Sequence, residues 1–249
     1  MTISIITVCL NEAKSISASL ESVKKQSYSD IEHIIVDGGS TDGTWKIAEE
    51  YAQRAAYPVK VIHQQSDSGI YGALNEGISY ANGDVIATLH ANDMYETDDE
   101  LAQVAKAFMT SDADLVYGDV RYFRAQRPSL TVRKYSAKHF CRKSLLDFFA
   151  PPHPATFIKR NIFLRHGLYA TDYLIAADFE LMVRLILVNR VKTLYVERCI
   201  VAMSMGGLST SLRHILFTNI KEKRRALRQN NQKCRWISIL KRYLYTFKH

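Results

Sequence analysis

Hydrophobic and polar positions follow two alternating patterns through the first half of the chain. Helical spacing of apolar residues predicts helices at 14–26, 44–56, 70–81 and 98–109. Between them lie five short apolar runs that predict strands: ISIITVCL, EHIIVD, VKVIHQ, DVIATLH and ADLVYGD. This alternation is typical of βαβ units, so the pattern predicts an α/β fold with a mostly parallel, doubly wound sheet and helices on both faces.

The pattern loosens after about residue 118. VRYF and LTVRKY predict short antiparallel strands, a Pro-rich loop leads into a further strand at FIKR, and AADFELMVRLILV predicts a buried helix. No internal repeat or low-complexity linker separates the halves. We therefore predict one domain over 1–212, with halves 1–117 and 118–212, and a helical tail over 213–249.

The formal charge of +8 is unevenly distributed along the sequence. The tail carries eleven Lys and Arg against the single acid Glu222, whereas residues 1–212 carry 22 basic and 24 acidic side chains. This near-neutral body argues against a nucleic-acid-binding function and predicts that any polyanion contact belongs to the tail. No apolar run approaches the ~18 residues of a spanning helix, and the N-terminal segment does not read as a signal peptide, so we expect a cytoplasmic protein.

Polar side chains follow each of the first four predicted strands. They are Asn11 and Glu12, Asp37, Asp67, and Asn92 and Asp93. In such sheets ligands bind beyond the carboxyl ends of the strands. The first turn has no GxGxxG and no GxxxxGK[ST] occurs, which excludes dinucleotide and P-loop sites, and a nucleotidyltransferase would need a Gly-rich basic loop that CLNEAKS does not supply.

Four segments together resemble the signatures of inverting family-two glycosyltransferases. They are SIITVCLNEAKSISASLESVKKQSY, HIIVDGGSTDGT, SDSGIYGALNEGISYANGDVIATLHANDMY and AADFELMVRL. The resemblance covers roughly residues 3–210 and is closest to non-processive bacterial enzymes of surface-polysaccharide synthesis. It implies the GT-A fold and transfer of one hexosyl or N-acetylhexosaminyl group, with inversion, from a nucleotide-sugar to a glycan or lipid-linked acceptor. UDP is the expected nucleotide.

The resemblance implies a donor site at the first sheet edge. Asp37 would hydrogen-bond the base or ribose, the loop from Thr7 to Asn11 would form the other wall, and Asp67 would lie near the nucleotide. A turn or helix-capping role is the alternative for Asp37.

The fourth strand would supply a divalent metal site. By resemblance, Asp93 would bind the Mn²⁺ or Mg²⁺ that neutralises the leaving diphosphate. Asn92 stands where relatives often carry an acid; it would hydrogen-bond a ribose or sugar hydroxyl, with a simple turn-forming role as the alternative.

The second half would supply the acceptor site. Asp178 matches the aspartate that acts as general base in this family, with helix N-capping as the alternative. Glu180 would help to orient the acceptor, and His153 would line its site unless the histidine is structural. Gly206 and Gly207 resemble a closing loop whose backbone approaches the diphosphate.

The tail beyond Trp236 has apolar residues at helical spacing with basic residues between them. This predicts an interfacial helix on the inner face of an anionic membrane; packing on the catalytic domain or in a homodimer is the alternative. QKCRW matches the QxxRW motif of processive synthases, but we attribute it to chance because no spanning segment follows it. A catalytically weak nucleotide-sugar-binding or scaffold subunit is the alternative function.

Overall fold

A computed structural model describes residues 1–64, 69–205 and 212–233 of the chain. Asp67, Gly206, Gly207 and the tail helix predicted beyond Trp236 lie outside the described residues. For these positions the sequence predictions stay predictions.

A mixed sheet of nine strands runs through the described part of the chain, in the order β3-β2-β1-β4-β8-β6-β9-β5 with β7 paired to β6. The strands are β1 Ile3–Cys9, β2 Ile31–Asp37, β3 Val59–His63, β4 Val85–Thr88, β5 Asp93–Tyr95, β6 Leu115–Arg124, β7 Arg127–Tyr135, β8 Thr156–Lys159 and β9 Thr193–Met205. β1 to β4 are parallel to one another, whereas β8 is antiparallel to both its neighbours. The chain leaves β1 towards β2 and β3 and then returns to place β4 on the other side, so a ligand crevice is expected between the ends of β1 and β4.

Helices cover both faces of the sheet. They are α1 Ile16–Lys24, α2 Thr44–Arg54, α3 Gly69–Tyr80, α4 Glu100–Met109, α5 Arg160–His166, α6 Ala177–Met182 and α7 Leu212–Gln229. A π-helical turn, Val183–Val188, continues α6, and short 3-10 turns lie at Arg142–Asp147 and His153–Ala155. The four helices predicted in the first half are all present. The strands β5 and β9 were not predicted.

Alternation along β1 divides the core between the two faces of the sheet. Ile3 and Ile5 pack in one apolar cluster, while Ile6 and Val8 pack in another that includes α3 and α6. All seven β1 side chains are buried, as expected for a central strand with helices on both faces. Gly77 brings α3 close to this strand, since a Cβ at this position would lie 2.5 Å from Cγ2 of Ile6.

Candidate active site

The loops after β1 and β2 are joined by hydrogen bonds. Asn11 adopts a left-handed backbone conformation (φ 54°), and its Oδ1 accepts a hydrogen bond from the Thr41 N–H at 2.9 Å. Its own N–H donates to Ser40 Oγ at 2.8 Å, and the Glu12 N–H donates to Thr44 Oγ1 at 2.8 Å. The structure therefore places Asn11 at the predicted edge, with its amide oxygen engaged in bracing the loop.

Asp37 lies at the end of β2, but its side chain has no exposed surface. Its Oδ2 accepts hydrogen bonds from the N–H groups of Gly39 at 3.2 Å and Ser40 at 2.9 Å, and from Nδ1 of His63 at 2.8 Å. The Oδ2 atom of Asp37 thus holds the turn after β2 and the His63 ring, and the predicted contact of Asp37 with a nucleotide stays a prediction. The His63 side chain, 41% exposed, occupies the edge.

His63 was missed in the sequence because it is the last residue of a short, ordinary strand. The register offered a signal, since His63 pairs directly with Asp37 across β2 and β3. Its ring also meets Trp45 edge-on, with the centroids 4.8 Å apart.

Thr7, which the resemblance places beside the nucleotide, lies in the interior of the protein. Its side chain is fully buried, and its hydroxyl lies 2.9 Å from Nε2 of His33, whose Nδ1 lies 2.9 Å from the Tyr51 hydroxyl. Burial lowers the pKa of His33 to about 3, so the ring is neutral. The Thr7 side chain belongs to this internal chain of hydrogen bonds, and its predicted place beside a nucleotide stays a prediction.

Asn92 and Asp93 follow β4 on the other side of the crevice. Asn92 Nδ2 donates to Glu12 Oε1 at 2.7 Å, so this pair bridges the loops after β1 and β4. Asp93 begins β5 and is only 4% exposed. Burial raises the pKa of its carboxyl to about 7, opposed only by a hydrogen bond from the Ser204 N–H.

The residues around Asp93 fit a cation held mainly by substrate oxygens. No ion-pair partner of Asp93 and no group of three potential metal-ligating side chains occurs within the described ranges. A buried carboxylate without a counter-charge is costly, and a divalent ion would supply the missing positive charge. One carboxylate with phosphate oxygens and waters is an ordinary set for Mg²⁺.

Asp178 is half-buried at the start of α6, and its Oδ1 accepts a hydrogen bond from the Phe179 N–H at 2.7 Å. Burial raises the pKa of the nearby Tyr71 hydroxyl, and the charge of Asp178 adds to this effect. Asp178 also acts electrostatically on His153: burial lowers the pKa of the imidazole, and the Asp178 charge partly opposes this. No ion pair holds Asp178 among the residues described.

His153 and its neighbours connect the Asp178 region with the Asp93 region. His153 Nε2 lies 2.7 Å from the Tyr169 hydroxyl, and its ring stacks on His90 with the centroids 5.9 Å apart. The His90 carbonyl in turn accepts the Asp93 N–H at 2.9 Å. The structure therefore brings Asp93, His153 and Asp178 into one region.

His90 and Asn75 support this region, although the sequence analysis assigned neither to it. His90 Nδ1 is buried without a hydrogen-bond partner in the described part of the chain, and burial lowers the pKa of the ring to about 3. Such an atom costs ~1–3 kcal/mol unless a bound hydroxyl or water satisfies it. Asn75 exchanges two hydrogen bonds with the Tyr169 backbone, at 2.8 and 2.9 Å, and so holds the residue that contacts His153.

Glu180 lies in α6 and is engaged by other side chains of the protein. Its carboxylate forms an ion pair with Arg184 at 2.9 Å and accepts a hydrogen bond from Asn230 Nδ2 at 3.2 Å. Arg184 also donates to the carbonyls of 166–168. Glu180 therefore joins α6 to the residue after α7 and, through Arg184, to the loop after α5, and its predicted role in orienting an acceptor stays a prediction.

Across the described residues, no helix has the length and apolar character needed to cross a membrane.

Solved structures with this fold are GT-A glycosyltransferases. S. aureus TarS 1-349 in complex with UDP-GlcNAc matches with a TM-score of 0.73 at 16% identity, covering 91% of this chain and 66% of that chain. The mannosyltransferase PcManGT from Pyrobaculum calidifontis, in complex with GDP-Man and Mn²⁺, matches with a TM-score of 0.66 at 17% identity. The match covers 91% of this chain and 63% of that chain. Against the longer TarS chain, this protein spans only 37% of the length. These structures define the class of protein by fold.

Sequence relatives give the family. The model for Glycosyl transferase family 2 matches residues 4–170. A PGL/p-HBAD biosynthesis glycosyltransferase of Mycobacterium bovis (strain BCG / Pasteur 1173P2) is 33% identical over 216 residues, which are 84% of this chain and 79% of that protein. The uncharacterized glycosyltransferase MT1564 of Mycobacterium tuberculosis (strain CDC 1551 / Oshkosh) is 31% identical over 201 residues, which are 80% of this chain and 73% of that protein. The chain belongs to glycosyltransferase family 2, which confirms the predicted family and fold class.

Proposed function

We propose that this glycosyltransferase moves one sugar from a nucleotide-diphosphate sugar to a hydroxyl of a glycan or lipid-linked glycan, with inversion and with a divalent metal ion, in surface-polysaccharide synthesis. The observation that carries the proposal is the half-buried Asp178 carboxylate, which has no ion pair among the described residues and lies in the same region as Asp93. Relatives support the donor class: TarS is described with UDP-GlcNAc and PcManGT with GDP-Man and Mn²⁺.

The donor would lie along the carboxyl ends of β1 to β4. His63, held by Asp37, would contact the base, and the Asn11 loop would form a wall beside it. Asp93 would hold the metal ion, which when bound supplies positive charge to the leaving diphosphate.

Asp178 would accept the proton of the acceptor hydroxyl. A sugar hydroxyl is a poor nucleophile, and displacement with inversion requires a base on the side opposite the leaving group. His153 and Tyr169 would wall this position and exclude water from it, because both rings pack around it and Asn75 fixes Tyr169.

The Asp178→Asn variant tests this assignment. Asparagine keeps the size and the hydrogen bond to the helix N–H but does not accept a proton at neutral pH, so turnover should fall by ~10²- to 10⁴-fold while donor affinity stays near that of the wild type. Product NMR of the wild type should show an inverted anomeric configuration.

The neighbouring acid provides the matched control. Glu180→Gln breaks the ion pair with Arg184, so it should lower thermal stability while leaving turnover per folded molecule within a few fold. Equal turnover of wild type and Asp178→Asn, or a retained configuration, would show that the residue or the mechanism is wrong. Selective donor binding with no transfer by the wild type would instead favour a binding subunit.

A further inference from the structure

The β6–β7 hairpin is an exposed arm of the sheet. A two-residue connection, Ala125–Gln126, joins its strands, and every residue from 124 to 134 is exposed. Within the described residues β7 pairs only with β6, so its other edge faces solvent.

Charge is concentrated around this hairpin. Residues 120–146 contain eight Lys and Arg and no acid, whereas the rest of 1–212 contains 14 basic and 24 acidic side chains. The near-neutral charge of residues 1–212 is therefore the sum of a basic region and an acidic region. The expectation that polyanion contact belongs to the tail stays a prediction. No carboxylate in the described part of the chain forms an ion pair with Arg124, Arg127, Arg133 or Lys134.

Apolar side chains lie among these cations. Leu130 is 54% exposed and Val132 is 43% exposed, and both lie in β7 between Arg127 and Lys134. Cations alone would protect an edge strand from pairing with another chain, but that role does not need exposed apolar residues. Unpaired cations beside exposed apolar groups match the headgroup and acyl boundary of an anionic bilayer.

The hairpin lies at the same end of the sheet as the candidate metal ligand. Asp93 pairs with Met203, Met203 with Tyr122, and Tyr122 with Arg133, so three strand spacings separate Asp93 from Arg133. At ~4.8 Å for each spacing this is about 14 Å. An enzyme held by this arm would keep its Asp93 region within reach of an acceptor anchored in the same membrane.

We propose that the β6–β7 hairpin docks this protein on an anionic lipid bilayer, with the cations at the headgroups and Leu130 and Val132 at the acyl boundary. The surface is separate from the tail beyond residue 234. Binding requires no catalysis, so it stands or falls independently of the transfer reaction.

Vesicle flotation of the full-length chain tests the proposal. We expect binding to vesicles of 30% phosphatidylglycerol in phosphatidylcholine, a composition of about physiological charge, and none to pure phosphatidylcholine. The triple variant Arg127→Gln, Arg133→Gln, Lys134→Gln should bind the anionic vesicles at least tenfold more weakly. Leu130→Ser with Val132→Ser should also weaken binding.

A matched triple variant controls for net charge. This control variant removes three exposed cations from α1, its C-cap and α2, by Lys24→Gln, Lys25→Gln and Lys46→Gln. Its vesicle binding should stay within about twofold of the wild type. Because the tail is intact in every variant, a difference in vesicle binding between the two triple variants is due to the hairpin. Equal binding of both triples would overturn the proposal, as would a concentration-dependent dimer that only the hairpin variants lose, since β7 would then pair with a second copy.

Discussion

His63 and Asp37 act as one unit at the edge of the sheet. A carboxylate can only accept a hydrogen bond, so Nδ1 of His63 donates to Asp37, and in the neutral ring Nε2 would present a lone pair. That lone pair matches a base with a ring N–H, such as uracil or guanine, and does not match cytosine.

Calorimetry with nucleoside diphosphates tests this pairing. His63→Ala should weaken UDP or GDP binding by about 3- to 10-fold, the value of one hydrogen bond, and should leave the weaker CDP binding unchanged. Lys60→Ala, on the same strand and also exposed, is the control and should bind like the wild type. An equal loss for all three nucleotides would exclude base readout by His63.

Asp93 predicts metal-dependent donor binding. Asp93→Ala should lose the tightening of nucleotide-sugar binding by Mn²⁺ and most activity, because the described residues contain no group of three potential metal-ligating side chains that could hold the ion instead. Asn92→Ala should be milder, because its amide bridges to Glu12 and carries no charge. Full activity of Asp93→Ala in excess EDTA would contradict the assignment.

For single residues, the sequence indicated which polar side chains lie at the sheet edge. It did not indicate which of their atoms already have hydrogen-bond partners within the protein. Asp93 and Asp178 could be placed from their positions after a strand and at a helix start. The contacts of Thr7 and Glu180 could not be predicted. Thr7 contacts His33, which is distant in the sequence, and Glu180 pairs with Arg184, one helix turn away.

Gly77 sets the spacing between α3 and the sheet. Gly77→Ala should lower the free energy of unfolding by about 1–3 kcal/mol, because the added methyl group meets Ile6 at 2.5 Å and Val36 at 3.3 Å. The gain in helix propensity, about 1 kcal/mol, offsets only part of this cost. Urea unfolding measures the change; Ser79→Ala, exposed on the same helix, should stay within about 0.5 kcal/mol of the wild type.

The elements that the sequence did not predict are those that lack a regular pattern. β5 has only three residues, too few for a periodic signal. β9 is interrupted by Glu197 and Arg198, and the Arg198 side chain is fixed by Asp99 and Glu100 of the distant α4 region. By contrast, β1 to β4 are short and mostly apolar runs with turn residues between them, so the sequence pattern predicted them.

At the scale of the whole molecule, buried neutral histidines make stability depend on pH. The pKa of His33 is about 3 in the folded protein and near 6.5 when exposed, so below pH 6.5 the unfolded chain binds a proton that the folded protein does not. Stability from this residue is therefore fully present above pH 6.5 and is lost as the pH falls towards 3. At pH 5 the loss is about 2 kcal/mol.

Urea unfolding at pH 7 and pH 5 measures this loss. His33→Gln should be less stable at both values but should show a pH difference smaller by about 2 kcal/mol than that of the wild type. The exposed His139→Gln should show the wild-type difference. If His33→Gln shows the same pH difference in stability as the wild type, His33 has the same pKa in the folded and the unfolded protein, which would contradict the prediction.

The position of β8 between β4 and β6 also sets the order in which the protein can be completed during synthesis. β1 to β4 can assemble as soon as they leave the ribosome, but the outer edge of β4 waits for Ile158, about 70 residues later. At ~5–20 residues per second this interval is about 4–14 s. Throughout this interval the central strand Val85–Thr88, whose residues are all buried in the finished fold, has an open edge that can pair with another chain.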